Sequence, residues 1–140
     1  PDPPKPVIEQ RPATAGEVRA ALAAGAYSRA ERLAASRAEA VPLDPAAHYL
    51  HGLALVHLGR HSEAVPVLRK ATYVDPQAGF AHFLLATTLD RLGDRAAARA
   101  AYGAAASSLG RRAADADAPE LDGRSPAELA ELCRTLASAP

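Results

Sequence analysis

The groups in this 140-residue chain that could do chemistry are five histidines, one cysteine and 16 acidic residues. His48 and His51 stand at i, i+3, a spacing that on one helix offers two imidazole nitrogens to a metal. His48 recurs, however, as His82, inside the matching tetrapeptides Ala47-His48-Tyr49-Leu50 and Ala81-His82-Phe83-Leu84. Recurrence argues for packing, and no Cys or carboxylate completes a ligand set beside them. His57 and His61 flank Gly59, so their i, i+4 spacing does not put them on one helix face. Cys133 lies in an apolar stripe with Leu129, Leu132 and Leu136, which favours a buried, inert thiol over a nucleophile. Asp115 and Asp117 sit in a polar run that reads as a solvated loop rather than a cation site. Arg111-Arg112 suits the C-terminal end of a helix. With no nucleophile beside a base and no carboxylate pair, no catalytic, cofactor-binding or metal residue is assigned, and the chain is read as a non-enzyme.

Composition narrows the classes further. Lys+Arg and Asp+Glu are both 16, so no global field draws the chain to nucleic acid or anionic membrane. A single cysteine excludes an internal disulfide. No apolar run approaches the ~20 residues of a membrane span, and no signal-peptide pattern stands at the start, so a cytoplasmic location is expected. Apolar residues make up 49% of the chain but aromatics only 4%, and 36 residues are Ala, which suits closely packed helices. Arg outnumbers Lys by 14 to 2, a bias of coding sequence rather than of function. The chain begins at Pro1 without an initiator Met, from which we expect a processed or excised piece of a longer protein.

These groups must be positioned by helices. Residues 1–12 hold five of the twelve prolines and read as a semi-rigid linker. From residue 13 onward apolar residues keep helical spacing, broken at Gly25, Pro42 with Pro45, Gly59, Pro76, Gly93 and Gly110. The spacing predicts helices over 14–24, 27–40, 46–58, 61–74, 78–92, 95–109 and 125–137. Gly25, Gly59 and Gly93 are 34 residues apart, and so are Ala30, Ala64 and Ala98, and Pro42 and Pro76. Each Gly supplies the left-handed residue that ends a first helix, each Ala admits the hairpin partner, and each Pro stops the second helix.

A period of 34 with two helices per period resembles the tetratricopeptide repeat (TPR). The resemblance covers about residues 11–110 in three repeats, near 11–44, 45–78 and 79–110. The first is degenerate, with Glu17 where the family has Leu, and the second departs at His51. A polar loop over 111–124 follows. Then Ser125, Pro126 and Glu128 form a capping box that opens a seventh helix, predicted to cover the open end of the array over 125–138. The expected fold is all-α, a right-handed TPR solenoid of three hairpins plus a C-terminal capping helix.

By the family's positions, the first helices line a concave groove. It would carry Arg19 from the first repeat, Tyr49, Leu53, Val56 and His57 from the second, and Phe80, Phe83, Thr87, Asp90 and Arg91 from the third. Tyr49 and Phe83, one repeat apart, would form an aromatic ladder suited to a bound peptide or helix, unless both pack between helices. Arrays that grip chaperone C-terminal carboxylates use Lys, Asn and Arg at set positions. Here those positions hold Ala15, Arg19, Leu50, Phe80 and Leu84, so a chaperone tail is not expected.

A narrower resemblance rests on three phrases: Ala47 to Leu53, Ala71 to Phe83, and Asp122 to Leu132. Together they resemble the C-terminal repeat region of CheR-type chemotaxis receptor methyltransferases. That resemblance implies a parent that methylates receptor glutamates with S-adenosylmethionine, through a catalytic part not present in this sequence. It implies a receptor tail, a signalling protein or the parent's own catalytic domain as partner. The module would then either bring substrate near or fold back and restrain the parent. The alternative reading is a self-associating scaffold, joined through an uncapped first helix by Ala21, Leu22 and Leu33.

Overall fold

A computed structural model describes residues 11–112 and 124–139. Their regular elements are all helices: α1 (Ala15–Ala23), α2 (Tyr27–Ala40), α3 (Pro45–His57), α4 (His61–Val74), α5 (Gly79–Arg91), α6 (Arg95–Arg112) and α7 (Pro126–Ser138). Two expected spans, 27–40 and 61–74, coincide with their helices, and four others lie within one residue at each end. The exception is α6, which runs through Gly110 to Arg112. Gly110 therefore does not act as the breaker its spacing suggested. It stands 34 residues after Pro76, but glycine keeps its N–H and carries no ring to clash, so it weakens a helix without stopping it. The linker at 1–12 and the polar loop at 111–124, with Asp115 and Asp117, fall almost wholly outside the described residues.

The three 34-spaced glycines make the same turn. Gly25, Gly59 and Gly93 have φ of 75°, 76° and 86°. After α1, Gly25 N–H donates to Leu22 and Ala26 N–H to Ala21, the paired bonds of a Schellman motif. Gly59 with Arg60, and Gly93 with Asp94, repeat the pair on Val56 and Leu55 and on Asp90 and Leu89. Helices α1, α3 and α7 are capped by side chains: Thr14 accepts from Glu17 N–H, Asp44 from Ala46 N–H ahead of Pro45, and Ser125 from Glu128 N–H ahead of Pro126.

The repeated histidine has a structural task. His48 Nε2–H donates to the Pro42 carbonyl at 2.7 Å, and His82 Nε2–H to the Pro76 carbonyl at 2.9 Å. Each ties a first helix back to the corner that precedes it, and a carbonyl can only accept, which fixes the proton on Nε2. The recurrence of Pro and His at one period is one interaction made twice.

Helices pack as three hairpins, α1/α2, α3/α4 and α5/α6, each second helix also touching the next first helix. Contacts of α1 with α3 and of α3 with α5 make the first helices one inner row. Ala30, Ala64 and Ala98 are all buried where hairpin partners cross. Gly52 marks the tightest approach: a Cβ there would stand 2.6 Å from Leu68 Cγ. The core falls into a smaller cluster around Val18, Ala30, Leu50 and Ala54, and a larger one running from Leu55 and Leu68 through α5 and α6 to α7. Helix α7 lies along α6. There it takes the place of a fourth repeat's first helix, burying Leu129, Ala130 and Cys133.

Candidate protein-docking surfaces

The inner row carries the ten groove residues expected from the sequence, in unequal states. Arg19, His57, Asp90 and Arg91 are exposed, and Tyr49, Leu53, Val56, Phe80, Phe83 and Thr87 are half-buried. Tyr49 packs against both core clusters, and Val56, Phe80 and Phe83 against the larger. Phe83 tilts against Tyr102 of α6, with ring centroids 6.3 Å apart. Part of each aromatic in the expected ladder thus serves the core. His57 stacks flat on Tyr27 of α2, with centroids 4.4 Å apart and planes within 3°. The Thr87 hydroxyl donates to the Leu84 carbonyl. Asp90 borders a small crevice shared with Tyr102 and with Leu136 and Ala139 at the end of α7. The end of α7 therefore reaches the third-repeat edge of the inner row.

A larger concavity lies on the opposite side and contains none of those ten. It is a cleft of about 910 Å³ between α2 and α4, with Ala35 and Ala38 on one wall and Pro66, Val67 and Tyr73 on the other. His48 and His51 of α3 form its floor, and Leu43 closes one end. Tyr73 is 87% exposed and Leu43 79%. One signal could have found it: Leu43 and Tyr73 occupy places where the next repeat has Gln77 and Ser107. Large apolar groups where the period does not demand them are surface features.

Glu31 receives Arg60 at 3.4 Å and His51 at 4.0 Å, and Arg60 also binds Glu63 at 2.6 Å. Burial pushes the His51 imidazole below its usual value, outweighing the pull of Glu31. His51 therefore fills the position of the family's Leu as a neutral ring. Glu17, the other departure, pairs with Arg11 at 2.7 Å, and this contact lowers its carboxyl. Burial raises the Cys133 thiol to about 11, so it is protonated and unreactive at neutral pH. Among the described residues no three His, Cys, Asp or Glu side chains gather as metal ligands would. No described helix is long and apolar enough to cross a membrane.

An array of three helical hairpins closed by a further helix can present two surfaces to protein partners, and comparison with known proteins places it in a family. The bacterial transcriptional activator domain (BTAD) matches residues 11–132, nearly the whole described span. The chain belongs to this family. As a BTAD its fold is TPR-like. The Sgt2 TPR domain from Aspergillus fumigatus superposes with a TM-score of 0.69 at 22% identity, over 96% of this chain and 78% of that one. The TPR2B domain of yeast Sti1, solved in complex with pHsp70, gives 0.72 at 20% identity, over 89% of this chain and 95% of its own. The TPR2AB domain of yeast Sti1 with pHSP90 gives 0.70 at 20% identity, and this chain spans 46% of it. No curated protein matches this chain in sequence. None of these findings supports the narrower resemblance to CheR-type methyltransferases.

Proposed function

We propose that this BTAD is a non-catalytic docking module of a larger bacterial transcription regulator, binding a protein or peptide partner along the inner row. The observation that carries this reading is the row of first helices α1, α3 and α5, with half-buried Tyr49, Leu53, Phe83 and Thr87 facing one side of a TPR-like array. Half-buried aromatic and aliphatic groups on rigid elements are the usual anchors of a docked segment. The Sti1 domains, solved with pHsp70 and pHSP90, support a peptide as the class of partner. A chaperone tail is disfavoured here, because Leu50, at one of the carboxylate-gripping positions, is buried in the core. The site of action is cytoplasmic in this reading.

Two other parents remain on the sequence alone. The three CheR-like phrases support a methyltransferase parent, whose S-adenosylmethionine would bind outside this chain. Self-association through α1 is less favoured, since Ala21 is buried and Leu22 and Leu33 pack on the smaller cluster instead of standing free. Photo-crosslinking from Leu53 and Thr87, in the parent within its own cells, separates the three. Crosslinks to RNA polymerase or to another portion of the regulator support the proposal. Crosslinks to a receptor or chemotaxis component would replace it with the methyltransferase reading, and crosslinks between copies alone with the scaffold.

A further inference from the structure

The cleft between α2 and α4 is lined in part by residues that neither helix formation nor repeat packing requires. Pro66 sits inside α4, where it has no N–H to give the helix. Leu43, Pro66 and Tyr73 occupy positions filled one repeat later by Gln77, Ala100 and Ser107. Tyr73 and Leu43 stand out as two of the most exposed large apolar side chains among the described residues. The small Ala35 and Ala38 hold the opposite wall back, leaving about 910 Å³, within the range of pockets that enclose several side chains.

Cations outnumber carboxylates on the lining, Arg69 and Lys70 against Glu39. Arg69 and Lys70 both line the cleft, and neither has an ion-pair partner among the described residues. Glu39 is the carboxylate on the lining, and the nearby Glu31 and Glu63 are occupied by Arg60. Apolar walls with two unpaired cations at the edge are complementary to an apolar group flanked by carboxylates. Two cations in a chain of zero net charge do not make the basic stripe that tracks a phosphate backbone.

The geometry points to the α2–α4 cleft as a second docking site, for a short protein segment in which Leu or Phe anchors are flanked by Asp or Glu. The anchors enter between Tyr73 and Ala35, and the carboxylates meet Arg69 and Lys70. This site is independent of the inner row and lies on the other side of the array.

The test uses the purified 140-residue chain and three fluorescein-labelled 12-residue peptides. One alternates Leu and Phe anchors with Asp and Glu, one replaces the acids with Lys, and one replaces the anchors with Ser. Fluorescence anisotropy reads affinity, and amide NMR shifts locate the site. The anchored acidic peptide is expected to bind and to shift amides of α2 and α4. Tyr73→Ser is expected to weaken it roughly tenfold or more, as loss of an aromatic anchor does. Leu43→Ser, at the other exposed anchor, provides a second variant, with unchanged circular dichroism required of both. The double reversal Arg69→Glu/Lys70→Glu is expected to transfer preference to the Lys peptide. Shifts confined to α1, α3 and α5, equal binding of the acidic and Lys peptides, or indifference to all these variants would overturn the proposal. So would binding of phosphatidylglycerol vesicles or oligo-dT through Arg69 and Lys70 without binding of the peptide.

Discussion

Gly52→Ala should change sign with the residue it faces. A methyl group at Gly52 would stand 2.6 Å from Leu68 Cγ, well inside contact distance. Leu68 is fully buried and has no solvent to swing into. Overpacking of this kind costs about 1–3 kcal/mol, and replacing a mid-helix Gly with Ala returns about 1 kcal/mol. The substitution is therefore expected to destabilise the protein by about 1 kcal/mol. Leu68→Ala alone should cost about 2–5 kcal/mol by opening a cavity. In that background the obstruction is gone, and Gly52→Ala should stabilise by about 1 kcal/mol. The coupling between the two sites is then about 2 kcal/mol, of the size expected for residues in direct contact. Urea denaturation followed by circular dichroism at the helix band measures all four proteins. Stabilisation by Gly52→Ala in the parent sequence, or simple additivity, would refute the close approach of α3 and α4.

Other outcomes follow from single contacts. Ala at any of Gly25, Gly59 or Gly93 should cost about 1 kcal/mol, because each holds a positive φ; the triple variant should lose about 3 kcal/mol in urea titration, since the sites share no partners. His48→Ala should cost about 1–3 kcal/mol by stranding the Pro42 carbonyl, and His82→Ala, more exposed, distinctly less in the same assay. Burial lowers the His51 pKa from 6.5, so below pH 6.5 the unfolded chain takes up a proton that the folded one refuses. Stability is thus complete above that pH and drains as pH falls toward the folded-state pKa, and His51→Leu should flatten this loss in denaturation curves taken across the range. Cys133, with its thiol raised to about 11, should react with a disulfide reagent at mildly alkaline pH only after urea unfolds the chain.

Much of the architecture was legible because its punctuation is chemical. Gly25, Gly59 and Gly93 announce left-handed turns, and Pro42, Pro45 and Pro126 mark where helices stop or start. Gly110 misled because a glycine at a proline's place keeps its N–H, and packing of α6 along α7 carries the helix onward. The family's inner-row positions identified which helix faces align, but not how much of each side chain the core consumes. The stacking of His57 on Tyr27, and the share of Phe83 given to Tyr102, depend on angles between helices that no spacing encodes. The α2–α4 cleft was missed for a related reason. Its walls come from two repeats at once, so spacing does not outline it, and only the departures of Leu43 and Tyr73 from Gln77 and Ser107 mark it.

The division of the core into two clusters makes the array mechanically uneven. Hydrophobic continuity from Leu55 to Cys133 binds the later hairpins and α7 into one block, while α1 and α2 join it mainly through Leu50, Ala54 and the shared Tyr49. Amide exchange should accordingly be graded, fastest in α1 and α2 and slowest in α5 and α6, because repeat arrays open from their least-stitched end. The α2–α4 cleft spans the junction between the first two hairpins. Anything seated there would act as a strut between the first hairpin and the second, tying a terminal repeat more firmly into a single cooperative unit.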